Sequence, residues 1–134
     1  MPSILEKTVA VTGCYQILHR GHVILLEKCR KLGKLTVLLN SDESVLRLKN
    51  YLAESWETRR DNLLATGLVD RVLSIEDDPT IMIWFLKPDI LVAGDDHDYS
   101  AIMSRGGKYA GEVITFPYTE GICSTDLYKK SKKE

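Results

Sequence analysis

The 134 residues fit one domain (1–134), with enough chain to bury one core. The chain is 44% hydrophobic and 28% charged, and its formal net charge of -1 gives no general pull toward nucleic acid or an anionic membrane. Three cysteines, Cys14, Cys29 and Cys123, without a CxxC pair argue against a disulfide framework or structural zinc, and make a reducing cytoplasm the expected compartment.

No apolar run approaches membrane-spanning length, and the opening MPSILEKTVAVTG lacks the basic region, apolar stretch and cleavage site of a signal peptide. Thr8–Thr12 is a β-branched run closed by Gly13 and reads as a buried first strand. His22–Leu32 has helical spacing and stops at Gly33. Lys34–Leu39 reads as the second strand. The polar residues Asn40, Ser41 and Asp42 then cap a helix over Glu43–Leu48. Residues 51–54 read as loop, and Ser55 caps a helix over Trp56–Thr66 that Gly67 ends. Arg71–Ile75 is a short strand. Asp78-Pro79 opens a helix through Phe85 with Pro79 at its first helical position, and Pro88 stops it. Ile90–Ala93 is a further buried strand, followed by Gly94-Asp95-Asp96. Tyr99–Tyr109 is a weak helix broken at Gly106-Gly107, Glu112–Phe116 is the last strand, and Ser124 caps a helix that runs from Thr125 into a basic tail.

Strands alternating with helices predict an α/β fold, a three-layer sandwich around a parallel sheet of about five strands. Ligands of such sheets bind beyond the C-terminal strand ends. The polar clusters of this chain all follow strands, so they converge on one edge.

The strongest motif is Gly13-Cys14-Tyr15-Gln16-Ile17-Leu18-His19-Arg20-Gly21-His22, with His19-x-Gly21-His22 at the first strand–helix junction. Two imidazoles three positions apart at a helix N-terminus can face one site, where backbone N–H groups and the helix dipole also favour an anion. Gly21 lets a phosphate approach the backbone. Phosphoryl transfer needs such donors on its equatorial and leaving oxygens. Two other readings stay open: a pair of capping histidines, or a metal triad of His19, His22 and His97.

The motif resembles the first motif of the cytidylyltransferase-like nucleotidyltransferases, and the resemblance runs over about Thr8–Lys130. It implies a Rossmann-like sandwich, Mg²⁺, and often a homodimer. It implies transfer of a nucleoside monophosphate from an NTP to a phosphorylated sugar or polyol, with loss of pyrophosphate. The segments Val37–Asp42, Arg47–Lys49 and Leu86–Val92 look like members that act on a heptose 1-phosphate with ATP. Gly94-Asp95-Asp96 and Thr119–Ile122 look like members that make CDP-glycerol from CTP and glycerol 3-phosphate. A nucleotide-binding protein without turnover is the alternative from a different class.

By position, the resemblance implies that His19 and His22 contact the NTP phosphates and that Lys49 binds phosphate. It places Arg59 near the acceptor or triphosphate, and Asp95 near the ribose or metal. Ser124 and Thr125 bind phosphate at a helix start, and Gly13, Cys14, Tyr15, Gly21 and Thr119 complete the nucleotide site. No protein ligand for the metal is implied. Plainer roles remain beside these: a solvated helix end for Lys49, a turn for Asp95 and an N-cap for Ser124. Gln16 stands where the family has an aspartate, so metal handling or acceptor binding differs there.

Overall fold

The computed structural model describes residues 6–94 and 99–116. In chain order the elements are β1 (Thr8–Gly13), α1 (Arg20–Leu32), β2 (Lys34–Asn40), α2 (Asp42–Lys49), α3 (Trp56–Ala65), β3 (Arg71–Ile75), α4 (Thr80–Leu86), β4 (Ile90–Gly94), α5 (Tyr99–Ser104), a 3-10 turn (Gly107–Tyr109) and β5 (Glu112–Phe116). The strands form one sheet in the order β3-β2-β1-β4-β5, and every pairing is parallel. Val9 of β1 pairs with Leu35 of β2 on one side and Ile90 of β4 on the other.

Alternation along the strands divides the core in two. Val9, Val11, Leu35, Val37, Leu39 and Val92 pack with Leu26 and Cys29 of α1 and Leu63 of α3. Ala10, Leu38 and Leu91 point the other way, against Ile83 of α4 and Ile102 of α5. The result is the three-layer α/β sandwich expected from the sequence. No helix among the described residues is long and apolar enough to cross a membrane.

Most boundaries fall within a residue of expectation, and three differences have a physical cause. Helix α1 starts at Arg20 rather than His22, because His19 acts as its N-cap. Pro79 is the N-cap of α4 rather than its first helical residue, and the Thr80 N–H is taken by Asp78 Oδ1 at 3.0 Å. The weak helix ends at Ser104, and only Gly107–Tyr109 continues it as a 3-10 turn. The helix expected from Thr125 lies outside the described residues.

Candidate active site at the end of the first strand

The turn leaving β1 is built against local preference. Tyr15 and Ile17 have φ of 49° and 51°, a left-handed conformation that side chains disfavour, most of all a β-branched one. Four contacts hold it. The Tyr15 ring is buried and fills the space a Gly13 side chain would need; a Cβ there would lie 2.6 Å from Tyr15 Cε2. Gln16 is 1% exposed; its Oε1 accepts from the Ala53 N–H at 2.6 Å and its Nε2 donates to the Tyr51 carbonyl at 3.4 Å. The Ile17 N–H donates to Glu54 Oε1 at 2.8 Å.

The fourth contact is Arg59. The expectation put it beside the acceptor or triphosphate, but its side chain is 0% exposed. It donates to the Glu54 carbonyl at 3.0 Å, to the Cys14 and Asn40 carbonyls at 2.9 Å each, and to Asp42 Oδ1 at 2.8 Å. These bonds commit the guanidinium to tying the exits of β1 and β2 to the 51–54 loop. A charge this deep is tolerated only because acceptors surround it.

His19 and His22 close the turn onto α1. The Gly21 N–H donates to His19 Nδ1 at 3.0 Å, and the His19 N–H donates to His22 Nδ1 at 3.4 Å. Each Nδ1 therefore carries the lone pair, and the proton of each neutral ring sits on Nε2. Burial lowers the pKa of His19, and burial followed by the neighbouring His19 takes His22 down to about 3. Both rings are neutral N–H donors at physiological pH. The bond from Gly21 also means that its N–H serves the cap and not a phosphate.

A cavity of about 350 Å³ opens over the ends of β1, β2 and β4. Cys14, Asn40, Lys49, Asp77 and Arg105 are among the residues that line it. Burial raises the Cys14 thiol, against lesser pulls from Lys49 and Arg59, so it is a neutral wall and not a nucleophile. Asn40 donates to Ser44 Oγ at 3.0 Å and to the Glu76 carbonyl at 3.2 Å. Ser44 Oγ donates to Asp77 Oδ1 at 2.6 Å, and Arg47 Nε donates to Asp77 Oδ2 at 3.0 Å. The hydrogen bond from Arg47, then that from Ser44, holds the Asp77 carboxyl below its ordinary range.

The structure thus brings together Gly13, Cys14, Tyr15, His19, Gly21, His22 and Lys49 around the end of β1. Asp95, Thr119, Ser124 and Thr125 lie outside the described residues. Asn40, Asp77 and Arg105 were missed as site residues. The strand-end rule that drew attention to Asn40 applies equally to Asp77, which follows β3. Among the described residues no three His, Cys, Asp or Glu side chains gather where they could hold a metal. The Gln16 amide is spent on backbone, so the donors here do not make the oxygen cage that Mg²⁺ requires.

A parallel α/β sheet with paired imidazole donors where its first strand meets its first helix is an arrangement suited to holding phosphate oxygens. The chain belongs to the cytidylyltransferase-like family: residues 10–127 match the family model described as Cytidylyltransferase-like. It is 38% identical over 135 aligned residues to the bifunctional protein HldE of Hahella chejuensis, an alignment covering 96% of this chain and 28% of that protein. With the bifunctional protein HldE of Proteus mirabilis the identity is 39%, with the same 96% and 28% coverage. The chain therefore spans little more than a quarter of the curated relatives it matches. In fold it is similar to a lipopolysaccharide core biosynthesis protein from Thermoplasma volcanium, with a TM-score of 0.74, 24% identity, and 86% of this chain and 99% of that one covered. Pantothenate synthetase from Thermus thermophilus shares the fold at a TM-score of 0.62 and 17% identity, over 96% of this chain and 64% of that one.

Proposed function

We propose that this domain transfers AMP from ATP to a sugar 1-phosphate of the heptose type. A phosphate oxygen of the acceptor attacks the α-phosphorus, the bond from that phosphorus to the bridging oxygen of the β-phosphate breaks, and pyrophosphate leaves. The observation that carries the reading is the stacked His19–His22 pair, whose Nε2–H groups are fixed as donors by what their Nδ1 atoms accept. Charge grows on the phosphate oxygens during transfer, and donors already oriented stabilise it without reorganising. The acceptor phosphate is already an anion, so no general base is required. Lys49 adds a cation, and Arg59 is a positioning residue that fixes the turn on which the histidines stand.

Mg²⁺ arrives on the nucleotide and is held by phosphates and water. The similarity to HldE proteins supports the heptose-type acceptor. The exposed α4 side chains Ile81, Trp84 and Phe85, at 80%, 51% and 73%, support a homodimer that covers them. Free thiols at Cys14 and Cys29 suit a reducing cytoplasm.

The experiment is pyrophosphate release with ATP, CTP, GTP and UTP, each with Mg²⁺ and a panel of sugar 1-phosphates and polyol phosphates that includes glycerol 3-phosphate. Release that needs ATP and a heptose 1-phosphate is expected. Release only with CTP and glycerol 3-phosphate would replace this reading, and nucleotide binding without release from any pair would reduce the domain to a binder.

A further inference from the structure

The cavity over the ends of β1, β2 and β4 is lined by two cations, Lys49 and Arg105. Neither makes an ion pair or a side-chain hydrogen bond among the described residues, although Arg30, Arg47, Arg59 and Arg60 all do. Cations that share a concave wall and stay uncommitted are placed for a ligand. Lys49 lies at the end near Cys14, whose thiol feels its charge. Arg105 follows α5, where its charge acts on Asp77 and Asp78. Asp77 is already fixed as an anion by Ser44 and Arg47, so it presents oriented acceptor oxygens. Ile83, Leu91 and Ile102, which pack together, give the cavity an apolar lining.

We propose that this cavity seats the carbon skeleton of the acceptor, and that Arg105 and Asp77 select it by reading its hydroxyls as a donor–acceptor pair. The proposal rests on the transfer reading above and names the residues that decide its acceptor. Lys49 takes the phosphate. The C–H face of a sugar ring lies on Ile83, Leu91 and Ile102, and adjacent hydroxyls meet the guanidinium fork and the carboxylate. The space, about 350 Å³, suits a phosphorylated sugar. A three-carbon polyol phosphate would leave much of it empty.

Arg105 makes the cleaner test, because no side-chain hydrogen bond within the described residues is lost with it. Arg105→Ala is expected to melt within a degree or two of the parent. Its KM for the sugar phosphate should rise by about tenfold or more, with the KM for ATP within twofold. Arg105→Lys should recover only part of the loss, since an ammonium lacks the planar fork. A deoxy acceptor that lacks one of the hydroxyls should bind more weakly to the parent and no more weakly still to Arg105→Ala. A raised KM for ATP with that for the sugar phosphate unchanged would overturn the proposal. Should no sugar phosphate in the panel turn over, the transfer reading fails by itself, and the cavity is read by binding. Glucose 1-phosphate titrated into the labelled chain should then move the backbone amide signals of Asn40, Lys49 and Arg105, and Arg105→Ala should abolish the movement of the first two. The absence of any movement in the parent would overturn the proposal.

Discussion

The His19 and His22 rings stack with centroids 3.9 Å apart and 22° between their planes. Two imidazolium ions could not lie so close in a partly buried corner, so the stack carries at most one charge, and burial of both rings favours the neutral pair. His19→Ala removes one Nε2–H donor and the cap of α1. Turnover is expected to fall by about 10²–10³, with the KM for ATP changed only a few-fold. Steady-state kinetics on the purified variant decides this, and unchanged turnover would remove His19 from the reaction.

The same burial sets a pH dependence. The unfolded chain protonates His22 near 6.5, and the folded chain does so only near 3. Between those values the unfolded state holds the extra proton, so stability rises with pH across the window. It is complete above pH 6.5 and is lost as the pH falls toward 3, and His19 contributes in the same direction. Urea midpoints measured from pH 8 to pH 4 should drop on the acid side, and His22→Gln should flatten the drop. A midpoint that climbs on acidification would contradict the assignment.

Arg59→Ala strands Asp42 and three backbone carbonyls that the guanidinium now serves. A loss of about 3–5 kcal/mol is expected from chemical denaturation. Arg59→Lys should recover little, because one ammonium cannot reach four acceptors set around a planar group. A surface role would instead leave both variants at the stability of the parent.

Gln16→Asp restores the residue type of the family and tests what Gln16 does. A carboxylate cannot donate to the Tyr51 carbonyl, and its shorter side chain must give up the 2.6 Å bond from Ala53. The expected outcome is a loss of about 1–3 kcal/mol and lower turnover at every Mg²⁺ concentration. Higher activity that saturates at lower Mg²⁺ would show instead that the amide stands in for a missing metal ligand.

Much of the fold was legible. β3 and β5 occupy the predicted residues, because each is a short apolar run bounded by turn-formers. The start of α1 was misplaced because histidine is not among the common capping residues, although its Nδ1 can accept as an oxygen does. Arg59 was expected beside the acceptor or triphosphate because a cation there suits phosphate. Only the three-dimensional meeting of the Cys14, Asn40 and Glu54 carbonyls gives it a buried place. Asp77 stands where the strand-end rule points, but its meeting with Arg105 was illegible for a related reason. That meeting joins the β3–α4 connection to the end of α5, and nothing local in either segment announces the other.

The central strand of the sheet is also the first strand among the described residues. β1 pairs with β2 soon after it is made, but its other edge waits for β4, and the Thr8 N–H reaches its acceptor on Asp89 across 81 positions. During synthesis the histidine corner therefore emerges before β4, on a strand with one side bare. The cavity closes only when a long loop has been gathered in, a slow and entropically costly step. A ribosome-bound fragment that ends before Ile90 would carry the whole HxGH motif and still lack the β4 and α5 walls of its acceptor pocket. Catalytic competence in this domain thus arrives late in folding.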